Sequence, residues 1–217
     1  LEQPLRWKRP RRIFVNSMGD LFADGVQEEW IAQVFAVAAV AQQHTFLVLT
    51  KRPERARQVL ASPDFWEVVN SFSDFWAVEH TNGLDRRRDD YRAVAVDGAP
   101  DKPLQNLWLG VSVEDQRRAD ERIPVLLDTP AAVRWVSAEP LLGPVDLQDL
   151  TVADGSDVPS QWDGLSREWD DAAGRNRPGL DWVVAGGEGG RGARPAPPGW
   201  VRARRDQGAA GGGPVCF

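Results

Sequence analysis

Three glutamates each follow an apolar run: Glu114 after Leu107-Trp108-Leu109-Gly110-Val111, Glu139 after Val133 to Val136, and Glu188 after Trp182-Val183-Val184-Ala185. Brought together, three carboxylates would bind a divalent metal, transfer protons, or orient a ligand amino group. Taken separately, they are ordinary solvated loop residues. Glu188 sits inside Gly186-Gly187-Glu188-Gly189-Gly190, where the missing Cβ atoms let backbone amides approach a ligand closely. The run matches neither the phosphate-binding loop nor the dinucleotide fingerprint, and its embedded carboxylate suits an amine or ribose hydroxyls better than a phosphate. The alternative is a simple turn.

Similar polar endings follow the other apolar runs. Asn16, Ser17 and Asp20 follow Ile13-Phe14-Val15, either as pocket residues or as caps of the next helix. Thr50 and Lys51 follow Phe46-Leu47-Val48-Leu49; Lys51 is a counter-charge to the glutamates, an anion anchor, or a side chain reaching solvent. Ser112 and Ser137 precede Glu114 and Glu139. His44 and His80 have no His or Cys at metal-ligand spacing, which favours structural or surface roles.

The elements that must position these residues follow from the pattern. The five apolar runs do not alternate with polar residues, so they read as strands buried on both faces, as in a parallel sheet covered by helices. Between them lie candidate helices: one from near Val26 with Trp30, Ile31, Val34, Val37, Ala38 and Ala41 at helical spacing, one from Pro53 through Leu60, one after Glu114 disturbed at Pro124, and one from about Pro198. Strands alternating with helices predict βαβ units, and parallel sheets place ligands at the C-terminal ends of their strands. The polar endings collect there.

Two stretches break the pattern. Residues 61–105 read as an insertion with an aromatic cluster (Phe65, Trp66, Phe72, Phe75, Trp76) and a charged tip at Arg86 to Asp90. Residues 146–180 read as an exposed acidic loop. The chain is 217 residues long, which predicts a single α/β domain over 1–217, able to fold without disulfides or metal. One cysteine, Cys216, excludes an internal disulfide framework and any centre needing several thiolates from this chain, and points to a reducing, cytoplasmic setting. No run approaches the ~20 apolar residues that cross a bilayer. The basic run Arg6 to Arg12 is a candidate nucleic-acid contact, against which stands a formal net charge of −6.

The stretches Leu5 to Met18, Leu47 to Arg55, Asn106 to Gln116, Ser137 to Val145 and Gly186-Gly187-Glu188 together resemble a phage-associated bacterial family of unproven function that is itself similar to radical S-adenosylmethionine proteins. The resemblance implies a partial (β/α) barrel of parallel strands. It also implies S-adenosylmethionine bound to the open iron of a [4Fe–4S] cluster held by three cysteines upstream of the Arg6-Trp7-Lys8 segment. Those cysteines are not in this sequence, so no cofactor is expected in this chain, and both groups are expected if such an upstream segment exists. Gly186, Gly187 and Glu188 would then contact the methionine or ribose part of the cosubstrate, with Glu114, Ser137 and Glu139 lining the same pocket. Relatives continue into a further apolar strand where this chain has Gly208 to Gly213, a run poorly suited to a strand.

The expected function is therefore that of a truncated or divergent member of this family, inactive in radical chemistry as this chain and retaining a small-molecule pocket. The alternatives are a nucleic-acid or protein binding module and a divalent-metal enzyme using the glutamates.

Overall fold

A computed structural model describes residues 1–81, 97–152, 160–167, 169–170, 175–176, 178–210 and 215–216. The five apolar runs are strands β1 (Arg12–Val15), β2 (Thr45–Thr50), β3 (Leu107–Ser112), β4 (Val133–Ala138) and β9 (Trp182–Ala185). With the two-residue β10 (Val215–Cys216) they are ordered β1-β2-β3-β4-β9-β10. The registered pairs are parallel: β1 on β2 from Arg12↔Thr45 to Val15↔Val48, β4 on β9 from Trp135↔Trp182 to Ala138↔Ala185, and β10 on β9. Spatial order follows chain order without the reversal that marks doubly wound sheets. β10 is an addition to the sequence reading: α6 (Pro198–Ala210) carries the chain past the first glycines, and a strand of two residues follows. The chain divides into two compact units, the first comprising 1–48, 55–109 and 130–132, the second 49–54, 110–129 and 133–217.

After the short α1 (Gln3–Arg6), α2 (Glu28–Val40) turns Ile31, Phe35 and Ala38 into the core of the first unit, and α3 (Pro53–Leu60) is the helix expected from Pro53 through Leu60. The predicted insertion begins with a 19-residue helix, α4 (Pro63–Thr81), that is part of this core. Its Phe65 and Trp66 meet Phe35 edge-to-face at 5.5 and 5.8 Å. The Trp66 indole donates to Leu60 O at 2.8 Å, so the ring is buried without stranding its N–H. Gly98 is required beside it, because a Cβ there would overlap the Trp66 ring. The charged tip at Arg86 to Asp90 lies outside the described residues.

The basic N-terminal run is docked. Arg6 pairs with Glu2, and the Arg11 guanidinium lies 4.4 Å from the centre of the Trp7 ring. Trp7 in turn meets His44, which is 1% exposed. His44 Nδ1 accepts from Arg11 N at 3.2 Å and Nε2 lies 3.0 Å from Pro4 O, so the ring ties the N-terminal segment down through both nitrogens.

In the second unit, α5 (Gln116–Leu127) follows β3. Asp115 caps it by accepting from Arg118 N at 2.9 Å. Pro124 is inside the helix and buried with Ile123 and Leu127, so the predicted disturbance does not end the helix there. Gly110 leaves room for the Trp135 ring, which a Cβ would overlap, and Trp135 packs on Trp182 at 5.2 Å. The described parts of the acidic stretch are anchored. β5 (Leu150–Val152) pairs antiparallel with β6 (Ser160–Trp162), and Leu147, Leu150, Leu165 and Leu180 are buried. Sparse leucines do this in a segment whose average composition is that of a solvated loop. A second short pair joins β7 (Trp169–Asp170) to β8 (Arg175–Asn176), and residues 153–159 lie outside the described ones.

Candidate functional site at the strand ends of the second unit

Thr50, Lys51, Ser112, Glu114, Ser137, Glu139, Gly186, Gly187 and Glu188 all belong to the second unit, whereas Asn16 and Ser17 belong to the first. The chain leaves β3, β4 and β9 at neighbouring ends. Val113 N donates to Ser137 O at 2.8 Å, Leu142 N to Glu114 O at 2.8 Å, Leu141 N to Gly186 O at 3.0 Å, and Gly186 N to Ala138 O at 3.2 Å. These bonds bring the turns bearing Glu114, Glu139 and Gly186 into direct backbone contact. The Glu139–Pro140 peptide bond is cis.

Glu114 is the most enclosed of the three glutamates, with a side chain 13% exposed. Its Oε1 lies 2.7 Å from Lys51 Nζ. Its Oε2 accepts from Arg122 Nη1 at 3.0 Å, and the same nitrogen donates to Ser112 O at 2.7 Å. Burial pushes this carboxyl up, but the hydrogen bond from Lys51 and the charges of Arg122 and Lys51 outweigh it and hold the group below its ordinary 4.5. Thr50, 1% exposed, accepts from Arg52 N at 2.9 Å and so shapes the turn that presents Lys51.

Glu139 is in a different environment. It is exposed, and its Oε2 accepts from the Ser137 hydroxyl at 3.2 Å. Its Oε1 lies against Gly186, where a Cβ would overlap it. Glycine at 186 leaves room for the Glu139 carboxylate in this position, from which an added Cβ would move it.

Glu188 turns to its own loop. Its carboxylate accepts from Arg194 N and Nε at 2.9 Å and from Arg194 Nη2 at 2.8 Å, which lowers its pKa to about 2. Gly190 and Gly192 have φ of +96° and +86°, left-handed values that let the loop turn back on itself. Gly187 is exposed beside this loop. In the first unit Asn16 has φ +56°, and its carbonyl accepts from Gly19 N at 3.1 Å. Asn16 and Ser17 are both exposed, and Asp20 accepts from Phe22 N, closing the turn that precedes α2.

Sequence reasoning passed over Arg122 and Arg194. A signal existed for Arg122: it shares a helical face with Ala119, Ile123 and Leu126, and a charge on a buried stripe must be paired. Arg194 carried none, since Arg191 stands in the same glycine-rich loop.

Among the described residues no group of three His, Cys, Asp or Glu side chains is placed to hold a metal ion. A [4Fe–4S] cluster of the kind the resemblance implies needs three thiolates, and with Cys216 alone the residues present do not fit it. Among the described residues no helix is long and apolar enough to cross a membrane.

No curated protein and no solved structure matches the chain. A family model described as "Protein of unknown function (DUF5131)" matches residues 1–217, and the chain belongs to that family.

Proposed function

We propose that the second unit binds a small zwitterionic molecule of the S-adenosylmethionine type at the ends of β3, β4 and β9. In this reading the chain is a divergent, partial (β/α) barrel related to radical S-adenosylmethionine proteins. The 217 residues supply the cosubstrate side of such a pocket and none of the iron chemistry. The observation that carries the reading is the contrast between Glu139 and Glu114. Glu139 is an exposed carboxylate lying against Gly186 and steadied by a serine hydroxyl. Two strands away, at the end of β2, Lys51, 57% exposed, carries positive charge steered by Glu114, which follows the intervening β3. A ligand ammonium would go to Glu139 and a ligand carboxylate to Lys51, the two ends of an α-amino acid. Strand order that follows chain order, with polar groups at the C-terminal strand ends, supports the barrel relationship.

Titration calorimetry with S-adenosylmethionine and S-adenosylhomocysteine tests this. Both should bind, and Glu139→Gln should weaken them about tenfold or more, the scale of one hydrogen bond to a charged group. Absence of heat with either compound up to about 1 mM, or equal affinity in Glu139→Gln, would refute the reading.

A further inference from the structure

The two long helices of the first unit carry a feature that the strand-end site does not use. Between them lies a cleft of about 520 Å³ with an apolar floor that includes Phe65, Val68 and Phe72, and with Glu28, Glu29 and Asp64 on its walls. The apolar surface continues along α4, where Phe75 is 53% exposed and Val68 41%. Val68, Phe72 and Phe75 are spaced i, i+4 and i+7, forming a stripe along α4. Exposed apolar side chains grouped in this way mark contact surfaces rather than scattered surface residues.

The charge on the two helices has one sign. α2 and α4 together contain six carboxylates and no lysine or arginine. A phosphate backbone or an anionic lipid surface would be repelled, and so would an acidic protein segment. The matching partner has apolar side chains at i, i+3 or i+4, and i+7, flanked by lysine or arginine. That is the helix-in-groove mode of recognition, in which apolar anchors supply affinity and the charged rim selects and orients. At 19 residues, α4 spans roughly 28 Å, room for four to five turns of a docked helix.

We propose that the α2–α4 face is a docking surface for a basic amphipathic helix of a partner protein. The test uses the full chain and a fluorescein-labelled helical peptide of leucine and lysine in an amphipathic pattern, followed by fluorescence anisotropy. The comparison peptides are a scrambled sequence of the same composition and a leucine/glutamate helix. The amphipathic basic peptide should bind at least tenfold more tightly than either. Val68→Ser with Phe75→Ser should weaken it at least tenfold, with circular dichroism checking the fold. Glu28→Lys with Glu29→Lys and Asp64→Lys should exchange the preference to the leucine/glutamate helix, a gain that a misfolded variant would not show. Equal binding of the scrambled peptide, or affinity unchanged in both variants, overturns the proposal. So does concentration-dependent dimerisation of the wild-type chain that Phe75→Ser abolishes, because the face would then belong to a second copy.

Discussion

Removing the charge of Glu114 should destabilise the second unit by an amount set mainly by Arg122, not Lys51. The side chains of Glu114 and Arg122 are 13% and 11% exposed, whereas Lys51 is 57% exposed. Breaking a buried pair costs ~3–5 kcal/mol, while an exposed pair contributes ~0–1 kcal/mol. In Glu114→Gln the amide oxygen still accepts from Arg122, which retains Ser112 O as well, so a cost of about 2 kcal/mol is expected. For a chain of this size that lowers Tm by about 4–8 °C. Double-mutant cycles under urea, followed by circular dichroism, separate the partners. Coupling to Arg122→Met should be about 2 kcal/mol, and coupling to Lys51→Met below about 1 kcal/mol. The pH dependence has a fixed sign. With the folded carboxyl held below its ordinary 4.5, its contribution is complete above that value and is lost as the pH falls through the folded value. The stability gap between wild type and Glu114→Gln should therefore be constant near neutrality and close in acid. Equal coupling to Lys51 and Arg122, or a gap that widens in acid, would refute the reasoning.

Gly186→Val should displace the Glu139 carboxylate, because the added Cβ overlaps Oε1. Because that carboxylate is exposed and free to swing aside, the unfolding midpoint in urea should change little while the ligand heat assigned to Glu139 is lost; ligand heat equal to wild type would count against the placement described. In a carboxyl-detected NMR titration, Glu188 should titrate at about 2 in the wild type, and Arg194→Ala should raise that midpoint towards the ordinary 4.5. An unmoved midpoint would mean that the loop does not close through this pair.

β2 and β3 were legible because burial on both faces leaves unbroken apolar runs, whereas β1 is an apolar run without that burial, its Phe14 45% exposed; the turns after β3, β4 and β9 lie together because parallel strands surface at one end. α4 was not legible as a core helix. Phe65, Trp66 and Val69 are buried, while Val68 and Phe75 face out, so apolar residues occupy both faces and the helical period blurs. The same double-sidedness that hid the helix marks its outer face as a contact surface. The acidic stretch misled differently: four leucines anchor it, too few to alter its composition but enough to order its described parts. Of the site, the glutamates and Lys51 were visible and the choice among their roles was not, since that depends on guanidinium partners brought in by folding.

Those partners decide which glutamate is available to a ligand. Three carboxylates behind three strands invite a shared metal, yet a carboxylate already paired with a cation gains little by binding another and must first lose its partner. Glu114 sits between Lys51 and Arg122, and Glu188 is held through three hydrogen bonds by Arg194. A divalent ion at either would meet positive charge before it met oxygen. Glu139 has a hydroxyl as its partner instead, and a hydroxyl leaves the carboxylate charge uncompensated. In the proposed binding mode a ligand ammonium therefore goes to Glu139, the glutamate lying against Gly186. The Lys51–Glu114–Arg122 group, two cations to one carboxylate, is the partner this binding mode proposes for the ligand carboxylate.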